Sequence, residues 1–255
     1  MLTFTLDPSH LVSFFLVLCR VAGVLAVAPL LGSERLPARM KAALGLAVAF
    51  VLMPAAGARA QAAGAPALAL LAAGELVVGL AIGFGARLVF AAVNAAGELA
   101  DLQAGFGFAG ILSPQSGEHA SIIGQLQMAL AWLIFLGANG HHVVLHGLGA
   151  SLAAVPLGAD VAGCGPALVE ATGAVMAAAV RVAAPVVGAV LLADLALGLL
   201  TRAAPQMNLI AVGFPIKLAI GLYVTILTLP LLASTHRGLL GMTEAVVRSV
   251  LVALR

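Results

Sequence analysis

Six apolar stretches run through this chain, near residues 11–32, 40–56, 67–93, 122–148, 174–200 and 209–233. Most approach or exceed the roughly 20 residues that carry a helix across a hydrocarbon core. The second is short and ends at Pro54. The runs are rich in Ala and Leu and show no alternation of apolar and polar residues, which reads as helix rather than strand. Composition closes off a soluble fold: of 255 residues, 63% are hydrophobic and 9% charged, against about a quarter charged in soluble domains. Such a chain lacks the polar residues to cover a water-facing surface. The expectation is an all-α, polytopic membrane protein with about six hydrophobic segments. Its formal charge of +2 gives no reason to expect a nucleic-acid partner.

The connections are rich in breakers. Pro54 to Pro66 reads as a small-residue linker, and Pro156 to Pro166 holds Gly158, Gly163 and Gly165. Ala26-Val27-Ala28 matches a leader-peptidase pattern. However, the first ten residues hold Asp7 and no Lys or Arg, Arg20 interrupts the apolar run, and Pro29 follows the would-be cut. An uncleaved first segment is therefore expected. Cys19 and Cys164 lie far apart among apolar or small residues and form neither a metal pair nor a redox motif. Counted over six spans, Lys and Arg divide four and four between the two sides. That tie sets no orientation and points away from six straight spans.

Charges sit inside the apolar runs: Arg20, Glu75, Arg87, Arg181, Asp194 and Lys217. At mid-bilayer each costs about 2.5–3.5 kcal/mol on insertion scales. These residues should face protein, water or a membrane edge. One reading makes them paired packing residues; the other places some of them along an aqueous path. Gly79, Gly83 and Gly85 recur at spacings that permit close helix packing.

Gly105, Gly107 and Gly110 spell G-x-G-x-x-G. A dinucleotide site needs a strand before that motif and a helix opening within it. Here a helical, polar-edged segment precedes it and Ile111-Leu112-Ser113-Pro114 follows. The glycines read instead as a turn that exploits positive φ and close backbone approach. Lys41 and Lys217 are the only lysines, and neither follows a phosphate-cradling loop. His142 and His146 share a face if their stretch is helical. With His141 they lack the further ligands a metal site wants, and a polar helix end is the simpler reading. No cofactor site and no nucleophile motif emerges.

The most unusual stretch is 94–121, which carries Glu98, Asp101 and Glu118 with no Lys or Arg. It is broken by glycines and Pro114. Leu102, Phe106, Phe108, Ile111 and Leu112 make it too apolar for a loop that simply sits in water. Such a segment should bury itself against a channel wall or a partner.

Three blocks in order resemble the FliR family of flagellar type III export-gate components. The first is RVAGVLAVAPLLGSERLPARMK, Arg20 to Lys41. The second runs from Gly97 to Gln125 and includes GELADLQAGFGFAGILSPQSG. The third is RAAPQMNLIAVGFPIKLAIG, Arg202 to Gly221. Leu136 to His141 (LGANGH) fits between the last two. The resemblance covers nearly the whole chain, and Pro205-Gln206-Met207-Asn208 is its most specific part.

The resemblance implies one FliR-like domain over 1–255. Its N-terminal part would be FliP-like and its C-terminal hairpin FliQ-like, with broken helical hairpins stacked in a spiral and much of the gate above the bilayer plane. It implies a multi-pass protein of the bacterial inner membrane at the flagellar basal body. Partners would be FliP and FliQ homologues, with FlhB and FlhA homologues and unfolded export substrates. It implies no catalytic residue. The segment from Gly105 to Gly117, Pro114 included, would lie at the channel constriction, with its glycines Gly105, Gly107, Gly110 and Gly117 allowing movement. Phe106, Phe108, Ile111 and Leu112 would seal against water. Pro205, Gln206, Met207, Asn208, Gly213 and Pro215 would form a hairpin turn and packing surface. The injectisome counterpart shares this fold. Outside the family, a small-solute transporter would bind its cargo near intramembrane charges, but no internal symmetry is visible. A membrane enzyme would need acidic neighbours that the histidines lack in sequence.

Overall fold

The computed structural model describes residues 8–29, 32, 37–56, 64–104, 122–158, 164–204, 206 and 212–228. Among them every regular element is a helix. They are α1 (Pro8–Val27), α2 (Ala38–Leu52), a 3-10 turn (Met53–Ala56), α3 (Ala65–Ala104), α4 (Ile122–Gly137), α5 (Gly140–Ala154), α6 (Cys164–Ala203) and α7 (Val212–Thr228).

Prolines and glycines punctuate the helices as their chemistry dictates. Pro8 opens α1, where its missing N–H is no loss. Pro37, at φ −55°, stands just before α2. Pro54 cannot continue an α-helical ladder, and the chain tightens into the 3-10 turn around it. Gly64, at φ +109°, holds a backbone conformation just before α3 that a side chain would resist. The apolar run 122–148 is not one helix: it breaks at Ala138-Asn139, where Asn139 adopts φ 56°. Asn tolerates that left-handed conformation better than most residues.

Among the described residues four helices are long and apolar enough to cross a membrane: α1, α2 with its 3-10 turn, α3 and α6. The broken pair α4–α5 makes up to five, and α7 is shorter. Two helices exceed the expected spans. At 40 residues each, α3 and α6 contain about 60 Å of helix, twice a hydrocarbon core of about 30 Å. α3 swallows residues 94–104, the first part of the unusual stretch.

The chain forms two compact units. One holds α1, α2, the 3-10 turn, α3 as far as Val89, α5 and the first turns of α6. In it α1 and α3 run parallel with their backbones touching. A methyl on Gly79 would collide with the Arg20 carbonyl and Gly23 Cα. One on Gly83 would stand 2.9 Å from the Val24 carbonyl oxygen and 3.2 Å from the Ala28 nitrogen. Leu16, Val17, Val21, Val24, Val78 and Ile82 are buried along these helices. Bare backbone thus permits van der Waals contact over several turns, the force that holds helices together where lipid offers no hydrophobic drive.

The second unit holds α3 from Phe90, α4, α6 from Ala174, and α7. Its centre is Ala100, Ile123, Val186 and Val190, with Ile220, Leu222 and Val224 packed against them. Gly97 of α3 meets Gly124 of α4 with no room for a methyl. Beside this crossing Phe90 lies 4.2 Å from Trp132 and 5.1 Å from Phe135, ring centre to ring centre.

Candidate functional site

The constriction candidates Gly105, Phe106, Gly107, Phe108, Gly110, Ile111, Leu112, Pro114 and Gly117 lie outside the described residues, but the helices flanking them are described. α4 begins with backbone N–H groups that no turn of its own can satisfy. Asp101, near the end of α3, supplies the acceptors. Its Oδ1 accepts from the Ile123 N–H at 3.1 Å and its Oδ2 from the Gly124 N–H at 3.0 Å. The carboxylate is only 5% exposed, and its charge complements the positive end of the helix dipole. With Gly97 against Gly124, this pins the end of α3 to the start of α4, so the flanks of segment 105–121 are held together. Asp101 was legible only as an acid without a nearby base; no spacing rule pointed to a cap twenty-two residues away.

The charges inside the apolar runs divide into three kinds. Arg20 and Glu75 are 0% and 1% exposed and form the centre of a network confined to the first unit. Arg20 Nε donates to Glu75 Oε2 at 2.6 Å. Arg20 Nη1 donates to the Ser151 carbonyl at 2.9 Å and to Ser151 Oγ at 3.3 Å. Both terminal nitrogens reach the Val155 carbonyl at 3.3 Å. Those carbonyls close α5, so the guanidinium also caps the negative end of a helix. Glu75 Oε1 accepts from the Gly158 N–H at 2.8 Å, and Ser151 Oγ donates back to the Leu148 carbonyl at 2.7 Å. Every nitrogen of the fork and both carboxylate oxygens are used. Sequence marked Arg20 and Glu75, but the carbonyls and the N–H they join carry no sequence signal.

Asp194 of α6 and Lys217 of α7 form an ion pair and are half-buried. Arg87 and Arg181 depart from the expectation of burial: both are exposed on this chain. The reason differs for each. Arg87 follows the membrane-length part of α3 that packs along α1. Arg181 lies on the long α6, which the chain covers along one side only.

In the turn block, Gln206 is exposed, Gly213 is buried and Pro215 is exposed; a methyl on Gly213 would lie 3.5 Å from Leu197 Cδ1. Pro205, Met207 and Asn208 lie outside the described residues. The histidine stretch is helical, and His142 and His146 are both exposed on one face of α5. The His141 and His142 rings lie 4.3 Å apart. Among the described residues no three His, Cys, Asp or Glu side chains converge as metal ligands. Two buried polar atoms, Gln127 Oε1 and His141 Nδ1, have no hydrogen-bond partner among the described residues.

The family described as bacterial export proteins, family 1, matches residues 11–242. The chain is 31% identical over 222 residues to the flagellar biosynthetic protein FliR of Escherichia coli, covering 86% of this chain and 85% of that protein. It is 29% identical over 244 residues to the FliR of Bacillus subtilis, covering 94% of each. With the FliR of Pectobacterium carotovorum it shares 31% identity over 236 residues, 91% of this chain and 90% of that one. Matched from α1 through the turn block to beyond α7, the chain belongs to the bacterial export proteins, family 1.

Proposed function

We propose that the chain is a subunit of the flagellar protein-export gate in the bacterial inner membrane, where it helps form the channel for unfolded flagellar proteins. The observation that carries this reading is the family match over 11–242 together with alignment to flagellar biosynthetic proteins along nearly their full length. Two structural features support it. α3 and α6 are about twice bilayer length, as suits a subunit standing partly above the membrane plane. The fixed flanks of 105–121 suit a segment presented to a lumen, with Phe106, Phe108, Ile111 and Leu112 sealing a constriction. The N-terminal part would be FliP-like and the C-terminal hairpin FliQ-like. Homologues of FliP, FliQ, FlhB and FlhA are the expected partners, and the role is structural rather than enzymatic. No observation favours a solute transporter.

The reading is tested by deleting the gene and complementing with a tagged copy. Deletion should abolish swimming and secretion of hook and filament proteins. The tagged chain should purify with FliP and FliQ homologues, and Gly110→Trp should change secretion or membrane leakage. Normal secretion in the deletion strain would sink the proposal.

A further inference from the structure

The outer face of α5 carries chemistry that the core of the first unit does not use. Gly140, Val144, Leu148, Ser151 and Leu152 turn inward and are buried. His142 and His146 lie on the opposite side and are exposed on this chain. A spacing of four residues sets them one above the other, with Cβ atoms about 5–6 Å apart. Two imidazoles at that separation can turn their rings onto one ion, as the paired histidines of helical zinc motifs do.

The backbone beneath the pair is held at both ends. α5 is closed from its first turn, where the His142 N–H donates to the Asn139 carbonyl at 2.9 Å. Its last turn is tied by Arg20 to the carbonyls of Ser151 and Val155. The His142 ring is itself steadied by the His141 ring, whose centre lies 4.3 Å away at a tilt of 55°. Two histidines placed in this way lose less freedom on binding than two on a loose segment. His141 adjoins His142 in sequence, and neighbours in a helix do not share a face. It stands beside the pair rather than in it.

We infer that His142 and His146 bind one borderline divalent ion, of the class of Cu²⁺, Ni²⁺ or Zn²⁺. Imidazole donors suit these ions, whereas Mg²⁺ and Ca²⁺ want oxygen. Of the three, Cu²⁺ should bind most tightly by the general order of affinities. Among the described residues no third His, Cys, Asp or Glu joins the pair, so two ligands carry the site. A closed structural zinc site fills four positions; here the remaining positions stay open to water and the ion exchanges. A donor from elsewhere in the chain or from a neighbouring subunit would add to the pair and tighten it. Bound, the ion staples one turn of α5 and stabilises the folded chain by mass action.

The test uses the full-length chain in mild detergent, purified on a tag without histidine, at about pH 7.5, where free imidazole is mainly neutral and able to ligate. Titration with Cu²⁺ should show one tight ion per chain, its electron paramagnetic resonance spectrum split by two imidazole nitrogens. His142→Ala and His146→Ala should each weaken that ion by at least the ~10–100-fold that loss of a supporting residue costs a metal site. Each should also leave the spectrum with one nitrogen, while His10→Ala changes neither readout. Ni²⁺ should raise the melting temperature of the wild-type chain and not that of His146→Ala. His142→Ala gives the same comparison if His146→Ala fails to fold. Affinity and a two-nitrogen spectrum unchanged in both single variants would overturn the site. So would copper held no more tightly by the wild-type chain than by the double variant.

Discussion

Arg20 and Glu75 satisfy each other only in part, and that decides how they respond to mutation. Burying two ions costs several kcal/mol each, and their attraction repays it only when the remaining donors and acceptors are also met. Here the guanidinium spends most of its donors on the Ser151 and Val155 carbonyls, and the carboxylate holds the Gly158 N–H. Arg20→Leu or Glu75→Leu should therefore lower stability by about 3–5 kcal/mol, the cost of stranding a buried partner. The charge swap Arg20→Glu with Glu75→Arg should not restore it, because a carboxylate cannot donate to carbonyls. Thermal unfolding in detergent and abundance in the membrane fraction check both; recovery by the swap would mean that charge pairing alone matters. Asp101 is a smaller case. Asp101→Asn keeps the shape and one acceptor but loses the charge at the start of α4. It should cost about 1 kcal/mol, in the range of helix caps, by the same unfolding measurement.

Between elements, the glycines separate into those that are used and those that are free. Gly79 and Gly97 sit where helix backbones touch, whereas nothing approaches a methyl built on Gly188 within 4 Å. Gly79→Ala must push α1 off α3 and disturb the Arg20 network a turn away, so it should destabilise by more than 1 kcal/mol, as overpacking does. Gly188→Ala should be neutral or stabilising by up to about 1 kcal/mol, the helix preference of Ala over Gly. Melting temperatures of the two variants in one detergent give the comparison. This level of structure was partly legible. Run length and the absence of alternation announced helices, and the spacing of Gly79 and Gly83 announced close packing. The break at Asn139 was hidden, because an apolar run looks the same whether one helix or two carries it. The helical, polar-edged segment expected before Gly105 is the end of α3, but the burial of Asp101 by its cap on α4 was hidden. Contacts between side chains and distant backbone groups leave no pattern in sequence, so the Ser151, Val155 and Gly158 partners had to come from the fold.

At the scale of the whole molecule, the exposed face of α6 separates the two readings of the intramembrane charges. Val180, Leu191, Leu192, Leu195 and Leu199 are all exposed on this helix, and Arg181 stands among them. Pro185, inside the helix, has no N–H for the Arg181 carbonyl four residues back. A cation and a backbone acceptor freed from the helical ladder therefore coincide on one apolar surface. Facing hydrocarbon, the arginine alone costs about 2.5–3.5 kcal/mol at mid-bilayer, and the chain offers it no acid among the described residues. A residue kept at that cost for folding should hurt folding when removed; one kept for a partner or a lumen should not. Arg181→Leu should leave membrane abundance unchanged or raised, since it removes an insertion penalty, while secretion of flagellar proteins falls. Arg20→Leu should do the reverse in order, losing abundance first and secretion only as a consequence. Immunoblots of the membrane fraction beside secreted protein from the same cultures distinguish the two patterns. If Arg181→Leu secretes normally, the arginine does not serve the channel and α6 meets only lipid along that face. If it secretes poorly at full abundance, the polar spot at Arg181 and Pro185 is where α6 meets another subunit or water.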